Sequence, residues 1–243
     1  MEKQPDKDID EDIEEEEDAD EDEDVEEEGD EPQPSTTLDG VIEVKDENNV
    51  VRQRLVYKQG VLEGLSRIYD AASTLIQEIS FRAGKIDGFV KQYDSDGDIT
   101  QEIPFRQGQM EGVAKFYNLK VLSMEITYAA GIQDGIMKLY LPNGEVKALM
   151  PFEKGKKQGK HTIHDDFGNR VREENYDKDL LQGECFTYYP NGQVMIHEMY
   201  DKGLRQGDWY MYYDTGVLMQ YAHYNKGVLT EEPKKYTSKG KEQ

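Results

Sequence analysis

Residues 183–207 begin Gly183-Glu184-Cys185-Phe186-Thr187-Tyr188-Tyr189-Pro190-Asn191-Gly192-Gln193-Val194 and close on Tyr200-Asp201-Lys202-Gly203-Leu204-Arg205-Gln206-Gly207. The following stretch repeats the phrase as Gly207-Asp208-Trp209-Tyr210-Met211-Tyr212-Tyr213-Asp214-Thr215-Gly216, then Tyr224-Asn225-Lys226-Gly227. Asn-Gly tolerates the positive φ angles of a two-residue hairpin turn, so Asn191-Gly192 predicts such a turn. The runs at 185–189 and 194–200 are rich in aromatic and β-branched residues, as strands are. One stretch is therefore a β-hairpin, and its closing Gly-x-x-x-Gly is the return to the next.

Working outward, the leading glycine recurs at Gly40, Gly64, Gly88, Gly112, Gly135, Gly159, Gly183 and Gly207, at intervals of 24 residues with a single 23. A second column holds Gly60, Gly84, Gly108, Gly131, Gly155, Gly203 and Gly227, with Asp179 in the remaining place. A fixed period of this length marks a repeat architecture in which each unit is one supersecondary element. Counting the leading glycine as position 0, position 5 holds Tyr69, Tyr93, Tyr117, Tyr140, Tyr188 and Tyr212. Position 17 holds Tyr57, Phe81, Phe105, Phe152, Tyr176, Tyr200 and Tyr224, and Tyr128 joins them once a one-residue deletion near Leu119 in the fourth unit is allowed for. The two columns take 11 of the 16 tyrosines, so the tyrosines serve the framework first.

With Asn-Gly as the turn, offsets that sum to 17 face each other. Strand alternation then puts positions 2, 4, 11, 13, 15 and 17 on a mostly apolar face, with positions 3, 5, 12 and 14 on the other. Arg67, Lys91 and Lys115 at position 3 stand opposite Glu78, Glu102 and Glu125 at position 14. That is a ladder of cross-strand ion pairs worth about 0.2–1 kcal/mol each, rather than a phosphate-binding stripe.

Charge divides the chain. Residues 1–33 carry 21 acidic and two basic side chains, a net of −19, while residues 34–243 carry a net of −4. Such an acidic segment has nothing to bury, so residues 1–38 are expected to be a disordered tail and linker. Residues 39–230 are expected to form the repeat domain, and the Lys-rich residues 231–243 a basic tail. The absence of a basic footprint argues against nucleic-acid binding. No apolar run approaches a membrane span and the N-terminus is not signal-like, so a cytoplasmic location is expected. Cys185 has no cysteine to pair with and fits a reducing compartment.

Several motifs carry less than they suggest. His161 and His164 fall on opposite faces of one strand and do not converge on an ion. Asp94-Ser95-Asp96-Gly97-Asp98 has the look of a calcium loop but lacks its glutamate, since place twelve is Phe105. Cys185 reads as a buried small hydrophobe. No catalytic, cofactor-binding or metal-ligating set is expected, and the chain reads as non-enzymatic.

The phrase at 183–207 and its repeats resemble the MORN-repeat variant (membrane occupation and recognition nexus), with a period near 24. The resemblance covers about residues 40–230. It weakens where Ala71-Ala72-Ser73 replaces Asn-Gly and where His164 and Asp179 stand in the columns. It implies an all-β, elongated antiparallel meander of about eight hairpins and a scaffold or binding role, with no catalytic residue. Bacterial proteins of this branch often carry an antitoxin-like label. The expected function is therefore a protein-binding scaffold that engages a partner, basic or otherwise, along one sheet face. Neutralisation of a basic toxin is the alternative. A peripheral membrane or phospholipid role comes third, disfavoured by the net charge of −23. Tyr69, Tyr93, Tyr117, Tyr140, Tyr188, Tyr212 and Trp209 are the expected contact residues, because tyrosine and tryptophan give large rigid area with a polar handle.

Overall fold

The structure is a computed structural model and describes residues 37–243. Of the expected disordered tail and linker at residues 1–38, residues 1–36 lie outside the described residues. The described residues form 23 strands in one antiparallel sheet, without a helix. Hairpin follows hairpin in chain order. In the seventh unit, strand Gly183–Tyr188 pairs with Val194–Asp201, matching Gly183 with Tyr200, Cys185 with Glu198 and Phe186 with His197. Val194–Asp201 then pairs on its other side with Gly207–Tyr212, the first strand of the next unit.

The register confirms offsets summing to 17 and then departs from them. Between Thr187 and Tyr188 a bulge shifts the ladder, and Tyr188 meets Val194 at position 11. The same shift follows Val44, Ile68, Gln92, Leu139, Ile163 and Met211. Position 11 was expected on the apolar face. The extra residue of the bulge turns it over to the face of the position-5 tyrosines.

The cause lies in the turns, whose types are exchanged relative to expectation. At the Asn-Gly sites only the glycine has positive φ, for example Gly144 at 86° and Gly192 at 83°. Gly192 N donates to Tyr189 O and Tyr189 N donates to Gln193 O, so the turn spans four residues and ends on the left-handed glycine. The paired positive φ angles of a two-residue type I′ turn occur at the other end of the unit, as at Ala83 (49°) and Gly84 (77°). Lys178 and Asp179 adopt the same pair without glycine, at 49° and 73°. The one-residue deletion in the fourth unit converts its long turn to this short kind, with Leu119 and Lys120 both at positive φ.

Units are tied together by the residue before six of the leading glycines, Gly64, Gly88, Gly112, Gly159, Gly183 and Gly207. Its side chain accepts a hydrogen bond from a turn N–H of the following unit: Glu63 from Ala83, Glu111 from Ala130, Gln182 from Lys202, Gln206 from Lys226. Residues 231–243 continue the pattern. Strand Lys234–Lys235 pairs with Gln220 and Tyr221, and Tyr236 bridges to Glu242.

A single sheet has no second layer, so burial depends on neighbours in the row. The buried residues at position 2 are mostly small: Ser66, Ala114 and Cys185. His161, buried at the same position, shows how, since its ring lies 5.9 Å from Phe152 and 4.7 Å from Tyr176. Position-17 rings flank this position-2 side chain and shut out water.

Candidate functional site: tyrosine-lined clefts

Because the bulge turns position 11 over, positions 11 and 14 of one unit meet positions 5 and 9 of the next. A cleft opens there on the tyrosine face. One of about 260 Å³ is lined by Val51, Arg54, Tyr69 and Ser73. One of about 200 Å³ is lined by Leu119, Val121, Leu122, Tyr140, Leu141 and Pro142 among others. A third of about 200 Å³ is lined by Phe186, Gln193, Val194, His197, Tyr212 and Gly216. Neighbouring units stand two strands apart, roughly 9.6 Å.

The expected contact tyrosines are brought together on this face, and none is wholly exposed. Tyr93 donates to Glu78 Oε2 at 2.8 Å, Tyr140 to Glu125 Oε2 at 2.7 Å and Tyr188 to Glu173 Oε2 at 2.8 Å. Burial and the carboxylate hydrogen bond push all three phenols up to about 12. Arg54 lies over Tyr69 at 5.8 Å, and Arg170 lies over Tyr188 at 4.2 Å. Tyr117 faces Leu122 across its ladder, and Tyr212 stands beside Tyr210 at 6.2 Å. Trp209 is separate from them, at position 2 on the opposite face, where its Nε1 is buried without a hydrogen-bond partner.

The expected ladder keeps its register, but of its three expected ion pairs only Arg67–Glu78 closes, and Glu125 pairs with Lys138 of the next unit rather than with Lys115. Arg67 Nε meets Glu78 Oε1 at 2.9 Å, and Lys138 Nζ meets Glu125 Oε2 at 3.6 Å. Lys91 and Lys115 stand opposite Glu102 and Glu125. In the last two units rings replace charges: His197 stacks on Phe186 at 4.6 Å, and Tyr210 lies 5.7 Å from His197 and 5.5 Å from Tyr221.

The opposite face is not apolar throughout. Arg172 Nε donates to Glu174 Oε1 at 2.5 Å and its Nη2 lies 3.8 Å from Glu198 Oε1. Arg205 and Tyr200 donate to Glu198 Oε2 at 3.0 and 3.1 Å, and Tyr176 donates to Glu174 at 2.8 Å. Burial pushes Glu174 up, but the bonds from Arg172 and Tyr176 outweigh it and hold the carboxyl below its ordinary value. Cys185 is buried beside this network, and burial pushes its thiol up, away from a reactive thiolate. The sequence signal for the network was legible: two charged letters, Glu174 and Glu198, in a position-15 column that is otherwise apolar.

The remaining motifs make local contacts within the sheet and its turns, and the carboxylates of Asp94, Asp96 and Asp98 lie within 4.8 Å of one another. His161 Nε2 contacts Pro151 O at 3.0 Å while His164 Nδ1 is 3.3 Å from Lys147 O, so the two rings reach separate points of the neighbouring strand Val146–Glu153. Asp94 Oδ1 accepts the N–H groups of Asp96 and Asp98, and Lys120 Nζ sits 2.8 Å from Asp98 Oδ2. Asp46, Asp70 and Asp165 cap their turns in the same way.

Fold and face together define a β-hairpin repeat protein built on one sheet. Three segments match the MORN repeat variant family, residues 133–154, 181–202 and 205–226. No curated protein matches the chain. Among solved structures, "Crystal Structure of TcdB2-TccC3-Cdc42" is 12% identical over 81% of this chain and 14% of that chain, with a TM-score of 0.21. "Crystal Structure of TcdB2-TccC3" is 13% identical over 81% and 14%, with a TM-score of 0.23. The Photorhabdus luminescens Tc holotoxin pore carrying a TccC3 mutation is 12% identical over 81% and 14%, with a TM-score of 0.16. The chain thus spans about one seventh of the length of each of these.

Proposed function

We propose that this protein is a non-enzymatic MORN-variant scaffold that binds another protein along its tyrosine face. The row of clefts beside Tyr69, Tyr140 and Tyr212 carries the reading. Each is a concave, partly apolar seat fixed in a rigid sheet, the kind of preformed anchor site that a peptide or loop uses. Equal unit spacing lets one partner segment engage more than one seat. Affinity purification with the wild-type chain and with a Tyr69→Ser/Tyr140→Ser/Tyr212→Ser variant tests it. A specific partner is expected to be retained by the wild type and lost by the folded variant. A partner retained equally by both rejects the cleft face.

A second reading rests on the net −19 of residues 1–33. An acidic segment of that density accelerates capture of a basic partner such as a toxin or effector. Deleting residues 1–33 is then expected to slow association and flatten its salt dependence. Unchanged rates would remove the segment from the mechanism. Among the described residues no helix is long and apolar enough to cross a membrane.

A further inference from the structure

The repeat compares one cleft with itself under different side chains. Between the sixth and seventh units, position 11 is Arg170, position 14 is Glu173 and the next position 5 is Tyr188. Here the cleft is filled from within. The Arg170 guanidinium lies 4.2 Å from the Tyr188 ring centroid and its Nη1 donates to Glu173 Oε1 at 2.8 Å. One unit further on, the same three places are Val194, His197 and Tyr212. The valine stops short, and the place of the guanidinium is an open cleft of about 200 Å³.

The geometry points to this cleft as a seat for an arginine side chain of a basic partner segment. The inference deepens the scaffold reading above and rests on it only for the source of the arginine. The Phe186, His197 and Tyr212 rings line the cleft, and aromatic faces attract a desolvated cation. His197 is held flat against Phe186, with 15° between the rings, so that wall is preformed. The Gln193 side-chain amide at the cleft offers an acceptor for the planar N–H fork, a geometry arginine meets better than lysine. Charge has also been reversed across the repeat. The Lys160–Glu173 pair at 2.9 Å becomes Glu184 and His197, with Glu184 Oε1 3.2 Å from His197 Nε2. A fixed cation beside the sixth cleft is thereby replaced by a carboxylate beside the seventh. The Tyr140 cleft differs in kind, since Leu119, Val121, Leu122, Leu141 and Pro142 suit an apolar side chain.

The probe is a blocked Gly-Arg-Gly peptide, with a citrulline peptide as the uncharged isostere, added to the full chain. Ring signals of Tyr212 and Phe186 are followed by NMR. Saturable shifts are expected with arginine, and binding about tenfold weaker with citrulline. Val194→Arg is expected to abolish the shifts by filling the cleft as Arg170 does. Arg170→Ala is expected to open a second seat, read as new arginine-dependent shifts at Tyr188. Equal response to citrulline, undiminished shifts in folded V194R, or no new response in R170A overturns the seat. Because the peptide carries no other recognition element, that failure leaves the partner-retention test of the scaffold untouched.

Discussion

Arg205 Nε donates to Glu198 Oε2 at 3.0 Å on the sheet face whose neighbouring rows are apolar, and Glu198 is 4% exposed. Its arginine partners are only part-buried and Arg172 keeps Glu174, so Glu198→Ala is expected to cost about 1–3 kcal/mol, from the lost bonds of Arg205 and Tyr200. Exposed Glu184→Ala is expected to change stability by less than about 0.5 kcal/mol. Urea denaturation of the two variants checks the contrast.

Gly88 and Gly135 hold φ at 113° and 118°, and a Cβ there would come within 2.8 Å of Ser80 and 2.9 Å of Thr127. Both contacts are to side-chain carbons fixed in the adjacent strand. Gly135→Ala therefore carries backbone strain and a clash, with an expected cost above about 2 kcal/mol. Gly144→Ala meets open space at φ 86° and is expected to cost about 1 kcal/mol. Thermal melts order the two.

Gln182 Oε1 accepts the Lys202 N–H at 2.9 Å across the unit boundary. Gln182→Ala removes that bond at an exposed turn, for about 1 kcal/mol. In a repeat array each unit leans on its neighbours, so the effect is expected to be local. Faster amide exchange confined to the turn around Lys202, with the first units unchanged, is the expected hydrogen-exchange result.

Stability is expected to fall at both ends of the pH scale. Burial pushes Glu173 up, but hydrogen bonds from Lys160, Tyr188 and Arg170 prevail and lower it below the ordinary 4.5. A carboxyl depressed in the folded state stabilises above its unfolded value and loses that contribution as pH falls through the folded one. Tyr93, Tyr140 and Tyr188 move the other way, from 10.0 to about 12. Their contribution is complete below pH 10 and disappears as pH rises through about 12. An ultraviolet tyrosinate titration is expected to show a group of phenols ionising late and together with unfolding.

The spacing of glycines and tyrosines sufficed to specify the hairpin repeat, the antiparallel pairing and the cross-strand partners such as Arg67 and Glu78. Those follow from period-2 alternation and from residues that tolerate positive φ, both written locally in the chain. Which face Val194 and its equivalents occupy was not available locally. It depends on the bulge after Thr187, and the bulge depends on a turn of four residues standing where Asn191-Gly192 alone suggests two. That single-residue shift puts position 11 beside the next unit's tyrosine and creates the clefts. Charges in an otherwise apolar column, Glu174 and Glu198, were visible as letters, yet their role needed Arg172, which bonds Glu174 on its own strand and reaches across to Glu198, and Arg205, which meets Glu198 from the strand that follows. Local composition thus decides the strand and its turns, whereas side chains distant in sequence become a site only once register fixes which of them face each other.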